Sequence, residues 1–341
     1  MSKETKRQHF VPRTYLKHFS EINKQGKHQI NVKHSKEDKP IYKTNIENVC
    51  HQNSLYTIDF PGATQEQRHS LDIFYERNFE SDYDSVLELL LNDEIIDISQ
   101  EQKDLIIGTI ISMYLRVAKW LNVSKENQKQ SIGQLLEIAK EMNHYEVDLG
   151  NGETWDISGK SVEELLKELE AKRKLGYYYF QIESFNALIK KRRFNSINVY
   201  KNAEDDEYIT SDVPIVLNNG KQELVSEIDE HCHLSLHLSP KYCITIMPLE
   251  EKEARISRFT MEPESSKLYS AINNDHQFRN SERYILGCER GIKNYLANQE
   301  NYKDEKFVAK MIKDAEAVLE KEKRKAIELE WKNLITMYMK S

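Results

Sequence analysis

The sequence predicts an α+β fold, mainly helical, with a central antiparallel sheet, a small N-terminal sheet and surrounding helices. Three observations predict it. Glycine and proline number only 11 and 7 in 341 residues, and because both punctuate short elements, their scarcity favours long helices over a many-stranded sandwich. Apolar residues recur at spacings of three and four over 70–193 and 265–340, the period of a helix face. Apolar and polar residues alternate over parts of 28–60 and 194–248, the period of a strand. The length permits one large domain or two ordinary ones, and one compact domain over 1–341 is expected. Its sub-regions are an arm, helix and small sheet at 8–60, a helical region at 70–193, an antiparallel sheet at 194–248 and a helical tail at 265–340.

The chain is organised around Gln8-His9-Phe10-Val11-Pro12-Arg13-Thr14-Tyr15-Leu16-Lys17-His18-Phe19. Pro12 fixes its own φ and pushes Val11 toward extended backbone, so 8–11 enter as an arm. Pro12 also suits the first turn of a helix over about 13–19, on which Tyr15, Leu16 and Phe19 share a core face. Lys24–Lys27 is a turn and His28–His34 alternates as a strand, with further short strands at 41–43 and 55–58. Leu71, Phe74, Tyr75, Phe79, Tyr83, Val86, Leu87 and Leu90 follow at helical spacing. Ser99 with Gln102 forms a capping box for a helix from about 100 to 121, apolar nearly all round and expected to be the buried spine. Arg116 lies on that helix. A buried arginine needs an anionic partner, so Arg116 is either half of a core ion pair or an anion ligand. Helix continues past 122 until the loop Gly150-Asn151-Gly152. Ser161 caps a helix over 162–174, and another over 177–194 ends in Lys190-Lys191-Arg192-Arg193. Strands follow at 197–200, 208–210, 215–217, 234–238 and 244–247, then helices at 265–280, 281–298 and 303–338.

Composition bounds the function. The net charge is −7 and mean hydropathy is −0.72, so there is no global basic footprint for nucleic acid, although a local patch is allowed. Cys50, Cys232, Cys243 and Cys288 include no Cys-x-x-Cys pair of a zinc knuckle or redox motif. Lys3, Glu4, Lys6 and Arg7 lead into no apolar run of a signal peptide. The most apolar segment, Leu105–Leu121, is interrupted by Gly108, Arg116 and Lys119 and is too short and polar for a bilayer. A cytoplasmic protein with reduced cysteines and no membrane partner is expected. The Gly-rich phosphate loop, the Walker motif and the Ser nucleophile elbow are all absent from the sequence.

Several residues are candidates for chemistry. His9 precedes a helix N-terminus, whose positive end favours the neutral, base-competent imidazole; the alternative is a hydrogen-bonded anchor for the arm. Arg13 and His18 share the Arg-x4-His spacing of one ribonuclease superfamily, a pattern short enough to arise by chance. Lys190, Lys191, Arg192 and Arg193 are the densest positive cluster, either a solvated helix end or a phosphate contact. Asp212, at a strand end before x-Pro, suits a turn, a general base or a metal ligand. Asn273 and Asn274 either cap a helix or bind a ligand. His231, His233 and His237 alternate on one strand face, but a zinc site wants ligands from more than one element.

The stretch His9-Phe10-Val11-Pro12-x-x-Tyr15-Leu16-x-x-Phe19 resembles the opening signature of a bacterial domain-of-unknown-function family, number 4238. Cys50-His51-Gln52-Asn53-Ser54-Leu55-Tyr56, Tyr208-Ile209-Thr210-Ser211-Asp212-Val213-Pro214-Ile215 and Leu236-His237-Leu238-Ser239-Pro240 resemble three later motifs of that family, in order. The chain departs from the family pattern at Phe10, Val213 and the Leu236-His237 pair. The resemblance implies a role in antiviral (antiphage) defence. Two functions are therefore expected. The first is an effector attacking nucleic acid as a nuclease, with His9 as base or acid, Asp212 as orienting group or ligand to a divalent metal, and Arg116 or the 190–193 cluster on phosphate. The alternative is a non-catalytic sensor or protein-binding module in which His9 and Asp212 meet as structural partners. Nucleic acid or a phage component is the expected partner, with the C-terminal helix pairing a second copy.

Overall fold

A computed structural model describes residues 7–58, 62–149, 152–218, 229, 231–250 and 253–299, and five single positions beyond 299. In chain order the first elements are β1 (Arg7–His9), α1 (Arg13–Leu16), β2 (Glu21–Ile22), β3 (His28–His34), β4 (Tyr42–Asn45) and β5 (His51–Asn53). Helices α2 (Gln65–Arg68), α3 (Ser70–Tyr75), α4 (Tyr83–Leu91), α5 (Gln100–Leu115) and α6 (Ala118–Met142) follow. The hairpin β6 (Glu146–Asp148) and β7 (Thr154–Asp156) leads to α7 (Val162–Glu168) and α8 (Glu170–Arg192). The last part holds β8 (Asn195–Lys201), β9 (Thr210–Ser211), β10 (Ile215–Asn218), β11 (His233–His237), β12 (Tyr242–Glu250) and β13 (Ile256–Thr260). It closes with α9 (Pro263–Asn280), β14 (Tyr284–Gly287) and α10 (Glu289–Asn298).

The described residues group into two compact units, each assembled from three stretches. The first takes Met1–Thr14, Glu47–Leu89 and Ser99–Phe194. It is helical apart from the β1–β5 ladder and the β6–β7 hairpin. One core packs Leu55, Tyr56, Leu71, Tyr75, Phe79, Ala118, Leu121 and Tyr177 together, and a second joins Ile132, Ala139, Ile157, Leu165 and Leu166. Capping boxes start α5 at Ser99–Gln102 and α7 at Ser161–Glu164, satisfying N–H groups that a helix start otherwise leaves unpaired.

The second unit takes Tyr15–Ile46, Leu90–Ile98 and Asn195–Ser341. It holds two five-stranded sheets. One runs β10-β11-β12-β8-β13, antiparallel except that β13 lies parallel to β8. The other runs β2-β3-β14-β9, with β4 also on β3. Ile209, Ile285, Ile292 and Tyr295 form a core here with Leu268, Ile272 and Phe278 around them.

This architecture corrects the expectation of a mainly helical chain built on one central antiparallel sheet. Among the described residues helix covers 49% and strand 22%, so the fold is α+β, and their strands are divided between two larger sheets and two small ladders. The sheet expected over 28–60 is completed from far along the sequence, by β14 and β9. The segment 281–298, expected as helix, gives β14 and then α10. The spine expected over 100–121 stops at Leu115; Val117 is extended, with φ −62° and ψ 144°, and α6 leaves at 43° to α5. No single helix among the described residues is long and apolar enough to cross a membrane. The helix expected over 303–338 lies outside the described residues, the five single positions excepted.

Candidate functional site around His9, His51 and Arg116

The first unit gathers its polar residues on the β1–β5 ladder. Antiparallel pairing sets Arg7 opposite Asn53, Gln8 opposite Gln52 and His9 opposite His51. Directly opposed side chains lie on the same face of a ladder, and the two imidazoles meet edge to face, 5.5 Å between centroids. Cys50, at φ 52°, and Ser54, also at φ 52°, turn the backbone at either end of β5. The Cys50 carbonyl accepts from the Phe10 N–H at 2.9 Å.

His9 is half-buried, and burial first, then the nearby Arg13 and His51, lower its pKa to about 4. The ring is therefore neutral at physiological pH. The expected cause, a helix N-terminus, is not the main one: α1 has only four residues, while desolvation acts directly on the ring. His51 is lowered as well, by burial and by Arg7. Nε2 of His9 and Nδ1 of His51 are both buried without a hydrogen-bond partner. Arg13 lies 3.6 Å from Glu47 with most of its side chain in solvent.

Beneath the pair lies Arg116, at the break between α5 and α6 and 1% exposed. Its Nη2 donates to the His9 carbonyl at 2.7 Å and contacts Glu80 Oε1, also at 2.7 Å. The guanidinium stands 4.9 Å over the Tyr75 ring. Burial opposes its charge, but Glu80 more than offsets this and raises its pKa overall. Nε and Nη1 of Arg116 are buried without partners. The Tyr56 hydroxyl donates to the Arg116 carbonyl. Gln8, fully buried, accepts from the Tyr56 N–H at 2.8 Å and reaches Asp72 at 3.4 Å. Burial raises the Asp72 carboxyl pKa, against the pull of Arg116. Arg116 is thus an ion-paired residue that also grips the backbone of His9.

Sequence reasoning missed Glu80, because it closes a π-helical turn, Glu76–Glu80, that shifts its direction away from the 3.6-residue count. Such turns are uncommon and often mark functional positions. It also gave His51 no role, since only strand pairing brings it opposite His9.

The other candidates are placed as follows. Lys190 and Lys191 are exposed, Arg192 is buried, and Arg193 pairs with Asp104 at 3.0 Å and stands over Phe194. The four do not form one exposed patch. Asp212 belongs to the second unit, and its contacts lie there. Its two carboxylate oxygens accept from the backbone N–H groups of Glu282 at 3.0 Å and Arg283 at 2.8 Å. Burial lifts its pKa to about 6 in spite of those bonds. Ser211 bonds to Gln277 at 2.9 Å. Asn274 accepts from the Ile209 N–H and donates to the Glu207 carbonyl, both at 2.9 Å, clamping the chain before β9. Asn273 donates to the Tyr269 carbonyl at 2.8 Å and bonds the His237 ring. His237 is buried and stacked on Tyr208 at 4.4 Å, while His231 is exposed. Among the described residues, no three of His, Cys, Asp and Glu are grouped to hold a metal ion.

The architecture is thus an α+β protein with a strand-paired pair of histidines in one unit and two five-stranded sheets in the other. Residues 7–291 match the family described as Protein of unknown function (DUF4238), and the chain belongs to that family. No curated protein and no solved structure matches it.

Proposed function

We propose that this protein is an antiphage defence effector that cleaves nucleic acid, with His9 and His51 as its acid–base pair. The observation that carries the reading is the pair itself: two imidazoles opposed across β1 and β5, each with a ring nitrogen that no protein group occupies. Phosphodiester cleavage needs one group to take a proton from the attacking hydroxyl and another to return one to the leaving oxygen. A neutral His9 suits the first task. A phosphate entering beside His51 would favour its protonated form and suit it to the second. Arg13, exposed at the same end of β1, can meet the phosphate, since its Glu47 contact is long and solvated. Arg116 is a positioning residue, holding the His9 carbonyl rather than substrate. Asp212 and Asn274 support the fold of the second unit. The resemblance of the family to proteins encoded among antiphage genes supports the defence role.

The test combines phage plating efficiency with cleavage of labelled RNA and DNA by purified wild type, His9→Gln and His51→Gln at matched melting temperature. Loss of cleavage and of protection in both variants is expected. Protection retained by both would overturn the reading in favour of a non-catalytic sensor or binding module.

A further inference from the structure

A second polar feature lies on the first unit, where α6, α7 and α8 line an open surface groove of about 320 Å³. This is at the small end of ligand-site volumes. Its wall carries Lys125 and Lys129 from α6, Lys167 from α7 and Arg173 from α8, against the carboxylates Glu163 and Glu170. The spacings place these residues together. Lys125 and Lys129 are four apart, Glu163 and Lys167 four apart, and Glu170 and Arg173 three apart, so each helix turns one charged row to the groove. One carboxylate is partly engaged already, because Glu170 pairs with Lys174 at 3.4 Å. The lining therefore keeps an excess of positive charge, and a concave wall concentrates such a field. Arg173 gives the second observation. Its Nη1 is buried with no hydrogen-bond partner, although a buried guanidinium N–H is costly to leave unmatched.

We infer that this groove binds a small soluble polyphosphate, as a free chain or as the tail of a nucleotide, between Lys125, Lys129, Lys167 and Arg173. Several oxygens spread along one ligand fit cations delivered from three helices. A singly charged carboxylate would leave most of them unused. The guanidinium fork suits bidentate contact with a phosphate. None of its lining residues belongs to the β1–β5 ladder, although Lys174, which pairs with Glu170, also donates to the Ser54 carbonyl just past β5 at 3.0 Å.

The experiment is titration calorimetry of the full chain with sodium tripolyphosphate, ATP and a short single-stranded oligonucleotide, at low and moderate salt. One site for tripolyphosphate or ATP, weakened by salt, is expected. If ATP binds more tightly than tripolyphosphate, the natural ligand is a nucleotide; the reverse order points to a free chain. Arg173→Gln is expected to weaken binding by roughly tenfold or more. The exposed double variant Lys125→Glu/Lys129→Glu should abolish it, and reads the site even if Arg173→Gln unfolds. Lys190→Glu/Lys191→Glu should bind like wild type. Absence of wild-type binding, binding of the oligonucleotide alone, or equal loss in the Lys190/Lys191 variant would overturn the inference.

Discussion

Replacing Arg116 by methionine would leave the Glu80 carboxylate and the His9 carbonyl without their shared donor. Removing one partner of a buried pair costs about 3–5 kcal/mol, and less where one side keeps some water, as Glu80 does. Arg116→Met should lower the unfolding midpoint sharply in urea, and Glu80→Gln/Arg116→Met should lose less than the two single changes combined. Additive losses would show that the pair is not coupled. A second expectation concerns pH. His237, held near a pKa of about 4 mainly by burial, stabilises the fold fully above the unfolded value near 6.5, and that stability is lost as pH falls toward 4. Asp212 runs the other way: its contribution is present below 3.8 and lost as pH rises through about 6. Urea unfolding across that window should show a shallow net slope in wild type. His237→Gln should reduce the rise of stability with pH, and Asp212→Asn should steepen it. At this scale the sequence identified Arg116 as needing an anion, because a charge in an apolar run has few solutions. It could not supply Glu80 or His51, whose approach depends on a π turn and a non-local strand pair.

Helix starts were the most legible elements. Ser99 and Gln102 announce α5, and both halves of the capping box are formed; Ser99→Ala should cost about 1 kcal/mol in thermal or urea unfolding. The break after Leu115 was hidden, because no proline or glycine stands there and the side-chain pattern continues. β14 was hidden for a different reason: four residues between two helical patterns carry too few alternations to distinguish a strand. Its last residue, Gly287, has φ 155°, and an added Cβ would approach Ile209 Cα at 3.6 Å. Gly287→Ala should therefore destabilise the protein by about 1–3 kcal/mol through backbone strain rather than collision. An unchanged unfolding midpoint would show that the strand end relaxes freely.

At the scale of the molecule, the helical and strand periodicities indicated an α+β chain but not the share of strand or its division between two larger sheets, and the partition into two units was beyond a linear reading. Each unit returns to the chain three times, so no single cut separates them. A fragment ending at Phe194 would carry every segment of the first unit, but also β2, β3 and β4 without β14 and β9. Unpaired strand edges favour association, so that fragment should aggregate or show exposed apolar surface by dye binding. A soluble, monomeric and cooperatively melting fragment would contradict this account.

The pairing of β3 with β14 also sets a timetable. Val32 lies opposite Leu286 and Asn31 opposite Gly287, so a strand made early on the ribosome waits for one made near the end of the family region. Contacts of such sequence separation slow folding, because the intervening loop must close before they form. Until residue 287 emerges, β3 has only β2 and β4 as neighbours. Ile30 and Val32, both fully buried in the finished fold, therefore wait for their β14 neighbour until nearly all of the family region has been made.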